Sequence, residues 1–178
     1  MLTGEFLANY CLQAFTGKVF NEEALREALY KYYNLICEAS LVSSKTDFVR
    51  DTFLTTILGC LITEEVTTVF SAGDGVIVVD EAIEVINQQN APHYIAHHLY
   101  KGITYPFQVR TYASKQIQRT LLASDGIEEL WGTEKSPTVV VDALFTEDAF
   151  FDDEVKLSKY LVEQPNLLDD TTVILMKR

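Results

Sequence analysis

Apolar residues recur at helical spacing through the N-terminal part of the chain, and the period changes further on. Phe6, Leu7, Tyr10, Cys11, Ala14 and Phe15 form one stripe, with Gly17 as its stop. Asn21 then has the chemistry of an N-cap, and Glu22 and Glu23 stand in the first turn that follows, where a helix favours negative charge. Ala24, Leu25, Ala28, Leu29, Tyr32 and Ile36 share one face of that second helix. Two successive helices with one broad apolar side predict an antiparallel or crossed pair. Such a side needs a partner surface, and a sheet is the natural one.

From Phe53 the pattern is that of strands. Residues 53–63 are rich in Thr, Ile and Leu, and β-branched runs follow at Val66–Phe70 and Val76–Val79. Glu64-Glu65 and Ala72-Gly73-Asp74-Gly75 are too short for a parallel crossover, so these three strands are expected to be antiparallel. Asn87–Tyr105 has Pro92 and clustered His and Tyr without a period, and reads as a flap or long loop. Gln108–Tyr112 and Ile117–Ala123 read as further strands, Ile127–Trp131 as a short helix and Ala149–Val162 as another. Thr171–Met176 is a last β-branched strand, expected to pair inside the sheet. The layout predicted is α+β, a mostly antiparallel sheet of about six strands with paired helices on its face. No linker, repeat or low-complexity tract divides residues 1–178.

Composition narrows the partners. The chain has 178 residues, and its 14 Lys and Arg against 26 Asp and Glu give a formal net charge of −12. Such a surface repels nucleic-acid phosphates and anionic membranes. No apolar run is long enough to span a membrane, and the first residues lack the basic region of a secretory signal. Cys11, Cys37 and Cys60 form no CxxC pair and read as reduced thiols of a cytoplasmic protein.

Acidic residues stand where strands begin or end: Asp74 in AGDG, Asp125 in LLASDG, and Asp169-Asp170 in LLDDTTVI. A carboxylate at a strand end is rigidly aimed, and Gly75 or Gly126 beside it lets backbone or solvent approach closely. Carboxylates that converge repel one another unless a cation lies between them, and all-oxygen ligation suits Mg²⁺ or Mn²⁺. Glu129, four residues after Asp125, shares its face if an α-helix forms there. The plainer alternative is turn chemistry, since Asp-Gly is a common turn dipeptide. His93 and His97 are one helical turn apart, but Pro92 and the lack of an HExxH context favour a flap over a zinc site. No cysteine has a paired histidine in its sequence context, no P-loop or dinucleotide fingerprint occurs, and Trp131 reads as a packing aromatic.

In this order, FLTTILGCLITEEVTTVFSAGDGVIVV, LLASDGIEELW and DDTTVILM resemble the later motifs of the PP2C-like, PPM-type Ser/Thr protein phosphatases. The APHYIAHHLY segment resembles a loop of a bacterial branch of the same family. The resemblance spans roughly Thr55 to Lys177 and implies an α-β-β-α sandwich, with the helix pair as its first two helices. It implies that Asp125 and Asp169 are ligands of the first metal of a dinuclear Mg²⁺ or Mn²⁺ centre. Asp74, Asp125 and Glu129 would surround a third metal, with Asp170 and Thr172 supporting. In such a centre two ions activate a bridging water that attacks the phosphoryl group in line.

The departure is as informative. The family's DGxG motif, whose Asp bridges the two metals, occurs nowhere in this sequence, and no Arg stands in for the family's phosphate-gripping residue. Two expectations follow. One is an incomplete or impaired phosphoserine/phosphothreonine phosphatase domain, acting on a phosphorylated protein when a missing segment completes it. The other is a non-catalytic PP2C-like regulatory or protein-binding domain. Lacking the family's early strands, the chain is expected to leave an edge or apolar face open to a second copy or a complementing chain.

Overall fold

The computed structural model describes residues 2–89, 91–131, 136–164, 167 and 170–178. In chain order the helices are α1 (Leu2–Phe15), α2 (Glu22–Ala39), α3 (Lys45–Thr52), α4 (His97–Lys101), α5 (Pro137–Thr146), α6 (Ala149–Asp152) and α7 (Glu154–Val162). The strands are β1 (Ile57–Ile62), β2 (Val66–Ala72), β3 (Gly75–Val79), β4 (Ala82–Ile86), β5 (Gln108–Ala113), β6 (Arg119–Ala123) and β7 (Val173–Lys177). They fall into two units, Met1–Gly73 with Ala91–Ser114, and Asp74–Asn90 with Lys115–Arg178. Each unit holds one antiparallel sheet and the helices packed on it, so the class is the α+β one expected.

In the first unit Gly17 turns left-handed after α1 (φ +69°), and Asn21 caps α2 by accepting the Ala24 N–H at 3.0 Å. The expected face of α2 is rotated slightly. Its fully buried row is Leu25, Leu29, Tyr33 and Cys37, while Ala24, Ala28, Tyr32 and Ile36 are half-buried. The Phe6 ring of α1 stacks on Tyr32 at 4.1 Å, and the Tyr10 hydroxyl donates to the Ala24 carbonyl at 3.2 Å. Strand β2 is the middle of a sheet ordered β1-β2-β5, and Phe70, Ala72 and Ile57 pack on the helical core with Phe53 and Phe107. Burying each of these Ile and Phe side chains stabilises the fold by roughly 1.5–3 kcal/mol.

In the second unit the sheet is ordered β4-β3-β6-β7. Asp80 makes the β3–β4 turn possible by adopting φ +52°, and its Oδ1 accepts the N–H groups of Gln118 and Arg119 at 2.9 and 2.8 Å. Every residue of β3 is buried. Val76, Val78, Leu121 and Ala123 form the sheet side of a core closed by Ile127, Trp131, Leu144, Leu157 and Leu161. Trp131 is thus a core aromatic, as its sequence context suggested.

Several expectations need correction. β2 and β3 do not pair: the Gly73-Asp74 link carries the chain from one sheet to the other, giving seven strands in two sheets among the described residues. β7 is an edge strand, bonded to β6 alone among the described strands. The helix expected over Ala149–Val162 is two, because Asp153 leaves helical geometry and its carboxylate caps α7 by accepting from Val155 and Lys156. Helices α3 and α5 and strand β4 lie where no element was expected, and α4 sits within the flap.

Among the described residues, no helix is long and apolar enough to cross a membrane. The three cysteines are free; burial raises the thiol pKa of Cys11 and of Cys60 to about 11. Neither is poised as a nucleophile at neutral pH.

Candidate functional site

Antiparallel pairing decides which strand ends meet. Val76 of β3 pairs with Ala123 of β6, and Ala123 pairs in turn with Val173 of β7. The start of β3, the end of β6 and the start of β7 therefore lie at one end of the second unit's sheet. Asp74 stands two residues before Val76, Asp125 two after Ala123, and Asp170 three before Val173. All three motifs arrive at this end. Asp169 lies outside the described residues.

The junction is tied by hydrogen bonds. Ser124 N–H donates to the Thr172 carbonyl at 3.0 Å, and Thr172 N–H donates to Ser124 Oγ at 3.0 Å. Ser124 Oγ also reaches the Asp170 carbonyl at 3.4 Å. Asp74 Oδ1 accepts the Gln88 N–H at 2.9 Å, which fixes its carboxylate on the chain that leaves β4. Gly73 before it is left-handed (φ +96°), and a Cβ there would press on Thr56, so this turn requires glycine. Gly75 and Gly126 are both buried.

The segment after Asp125 is a 3₁₀ turn, Asp125–Leu130. Sequence spacing had put Glu129 beside Asp125 on the assumption of an α-helix. With three residues per turn, Glu128 instead falls under Asp125. Its carboxyl is pushed above the ordinary carboxylate value first by burial, then by the charges of Asp125 and Asp74. Asp125 itself is exposed, and Glu129 is half-buried. Sequence reasoning missed Glu128 because the i+3 rule applies only once the turn type is known. It also missed Ser124 as the tether, although a serine before Asp-Gly is visible in the sequence.

Among the described residues, no group of three or more His, Cys, Asp or Glu is arranged to hold a metal ion. The described donors therefore do not fit a dinuclear centre. His93 stacks on Tyr105 at 4.1 Å and His97 is buried, so these two imidazoles serve the flap's aromatic packing. Beside the acidic end, α7 and the approach to β7 enclose an open cleft of about 540 Å³, floored by Leu157, Leu161, Leu167 and Val173, with Glu154 also lining it.

No family model and no curated protein matches the chain in sequence. Solved structures do match in three dimensions. The chain is similar to a bacterial serine phosphatase carrying an arginine-to-alanine substitution, at TM-score 0.57 and 14% identity, covering 97% of this chain and 76% of that one. It is also similar to the Mycobacterium tuberculosis serine/threonine phosphatase PstP/Ppp, at TM-score 0.54 and 14% identity, covering 98% of this chain and 80% of that one. At such identity the likeness establishes the fold: the PP2C-like α-β-β-α architecture.

Proposed function

We propose that the chain is a PP2C-like domain of the PPM type that acts by binding, as a regulatory or protein-interaction module, without phosphatase activity of its own. The observation that carries this reading is the donor set. The sequence has no DGxG to bridge two ions, and the described carboxylates at the sheet end form no ligand group. The open cleft beside α7 supplies a surface on which a protein segment can lie.

A second reading is favoured by the Ser124–Thr172 tether, which keeps the SDG turn beside the Thr172 approach to β7. On that reading Asp74, Asp125, Glu129 and Asp169 are the remains of a Mg²⁺- or Mn²⁺-dependent phosphoserine/phosphothreonine phosphatase site, supported by Gly75, Gly126, Asp170 and Thr172. A phosphorylated protein would then be the substrate once another segment completes the centre.

One experiment tests the binding reading against a metal-dependent catalytic site at Asp125. Hydrolysis of a small aryl phosphate is followed with Mn²⁺ and with Mg²⁺, for the wild type and for Asp125→Ala. The binding reading expects no metal-dependent turnover in either protein. Metal-dependent turnover that Asp125→Ala abolishes would overturn it in favour of the second.

A further inference from the structure

We infer that two copies of this chain pair through the free edge of β7, antiparallel and centred on Ile174, in a register set by the charges at the ends of that strand. The inference stands apart from any metal chemistry and rests on three observations.

The first is which backbone groups face outward. Arg178 N–H donates to the Gln118 carbonyl and Ser124 N–H to the Thr172 carbonyl, both at 3.0 Å. In an antiparallel ladder hydrogen-bonded residues alternate, so Ile174 and Met176, between those two, also aim their backbone groups at β6. Val173, Leu175 and Lys177 then aim N–H and C=O away from β6, toward the edge. No other described strand takes them up. A row of unpaired strand groups is a template for another strand.

The second is the lack of a guard on that edge. Natural edges are protected by charged side chains, lysine above all. Lys177 is placed for that task, yet its ammonium turns onto the helix side, 3.4 Å from Asp152, 3.7 Å from Asp148 and 5.5 Å above the Phe151 ring. Ile174, on the opposite face, remains 48% exposed.

The third is charge complementarity. The segment reads Asp169-Asp170-Thr171-Thr172-Val173-Ile174-Leu175-Met176-Lys177-Arg178, acidic at one end and basic at the other. An isologous pair of antiparallel strands must place a residue opposite its own copy. With Ile174 at that position, Val173 faces Leu175 of the second copy, with both backbones exchanging hydrogen bonds. Asp170 then faces Arg178 of the second copy, twice by symmetry. The two Ile174 side chains meet and cover each other. Overall repulsion between two chains of charge −12 is screened beyond about 8 Å at physiological salt, whereas these opposed ends are in contact. Strand pairing alone buries less than the ~1,200 Å² of a standard interface, so the dissociation constant belongs in the micromolar range.

Sedimentation equilibrium of the full chain tests this, with circular-dichroism melts as a check that each variant folds. The wild type is expected to be a dimer at ~100 micromolar and to dissociate on dilution. Ile174→Lys, which sets two ammonium groups face to face, is expected to be monomeric. Arg178→Asp is expected to weaken the dimer about tenfold, and Asp170→Arg combined with it to restore the affinity. A wild type that stays monomeric throughout, an Ile174→Lys protein that still dimerises, or a charge swap that restores nothing would each overturn the proposal.

Discussion

Ser124 and Thr172, 48 positions apart, bond each other through both of their N–H groups, so the turn after β6 and the approach to β7 move as one piece. The Ser124 hydroxyl is the only side-chain atom in that exchange. Ser124→Ala removes the hydroxyl's 3.0 Å bond from the Thr172 N–H, worth about 1 kcal/mol, together with its longer contact to the Asp170 carbonyl, which lowers Tm by at least roughly 2–4 °C in a domain of this size. Amide exchange distinguishes the cause. The Thr172 N–H should lose its protection in the variant, while the Ser124 N–H, which needs no hydroxyl, keeps its own. Equal protection of Thr172 in both proteins would remove the tether from the account.

Glu128 is the carboxylate held against Asp125 and Asp74, and burial adds to the difficulty of ionising it. Its pKa is raised in the folded state, so the native chain keeps this proton to higher pH than the unfolded chain does. The sign follows: ionised Glu128 opposes folding at neutral pH, and the opposition fades as pH falls through the ordinary carboxylate range. Glu128→Gln is therefore expected to raise Tm at pH 7, and to bring no gain at about pH 4. An equal change at both pH values would show that packing, not charge, governs the position.

How much of this was legible in the sequence depends on how local its cause is. The Asn21 cap, the Gly17 stop and the Ser-Asp-Gly turn after β6 are decided by residues within one turn of each other, and each was visible. Sheet membership is not local. Gly73-Asp74 looks like a hairpin turn, and nothing near it in sequence says that β2 and β3 join different sheets. Helix α5 was hidden because Val139, Val140 and Val141 mimic a strand, although Ser136 and Pro137 mark a helix start and Val140, Val141, Leu144 and Phe145 bury at helical spacing. Over 149–162 the opposite occurred: a single helix was expected, and the cap that Asp153 makes divides it. At the candidate site the strand ends that meet could be foreseen only as a resemblance, and the choice of Glu128 over Glu129 waited on the turn being 3₁₀.

Gly59 faces Phe70 across the β1–β2 pair, and a Cβ at Gly59 would collide with the Phe70 ring. That ring itself packs against Phe20 at 5.1 Å and Phe107 at 5.6 Å, so displacing it disturbs both contacts. Gly59→Ala is expected to destabilise by about 1–3 kcal/mol in urea titration, the usual range for overpacking. Phe70→Leu combined with Gly59→Ala should cost less than the two single changes added together, because the shorter side chain vacates the contested space. Strict additivity would mean that the methyl finds room without the ring.

His97 is buried, with its Nδ1 left without a hydrogen-bond partner among the described residues. Around it stand the rings of Tyr94, Tyr100 and Tyr105 and the charged or titrating groups of Lys101 and His93. Burial first, then the positive fields of Lys101 and His93, lower its pKa below the ordinary 6.5. The folded chain thus takes up this proton at lower pH than the unfolded chain. The stability associated with neutral His97 is complete above pH 6.5, declines as pH falls below it, and levels off once the folded form is protonated too. His97→Phe keeps a ring in place and removes both the titration and the unpartnered nitrogen. Its Tm should match or exceed that of the wild type at neutral pH and fall less steeply toward about pH 5. The difference between the two curves reports the removal of His97, and parallel curves would place the pH response elsewhere.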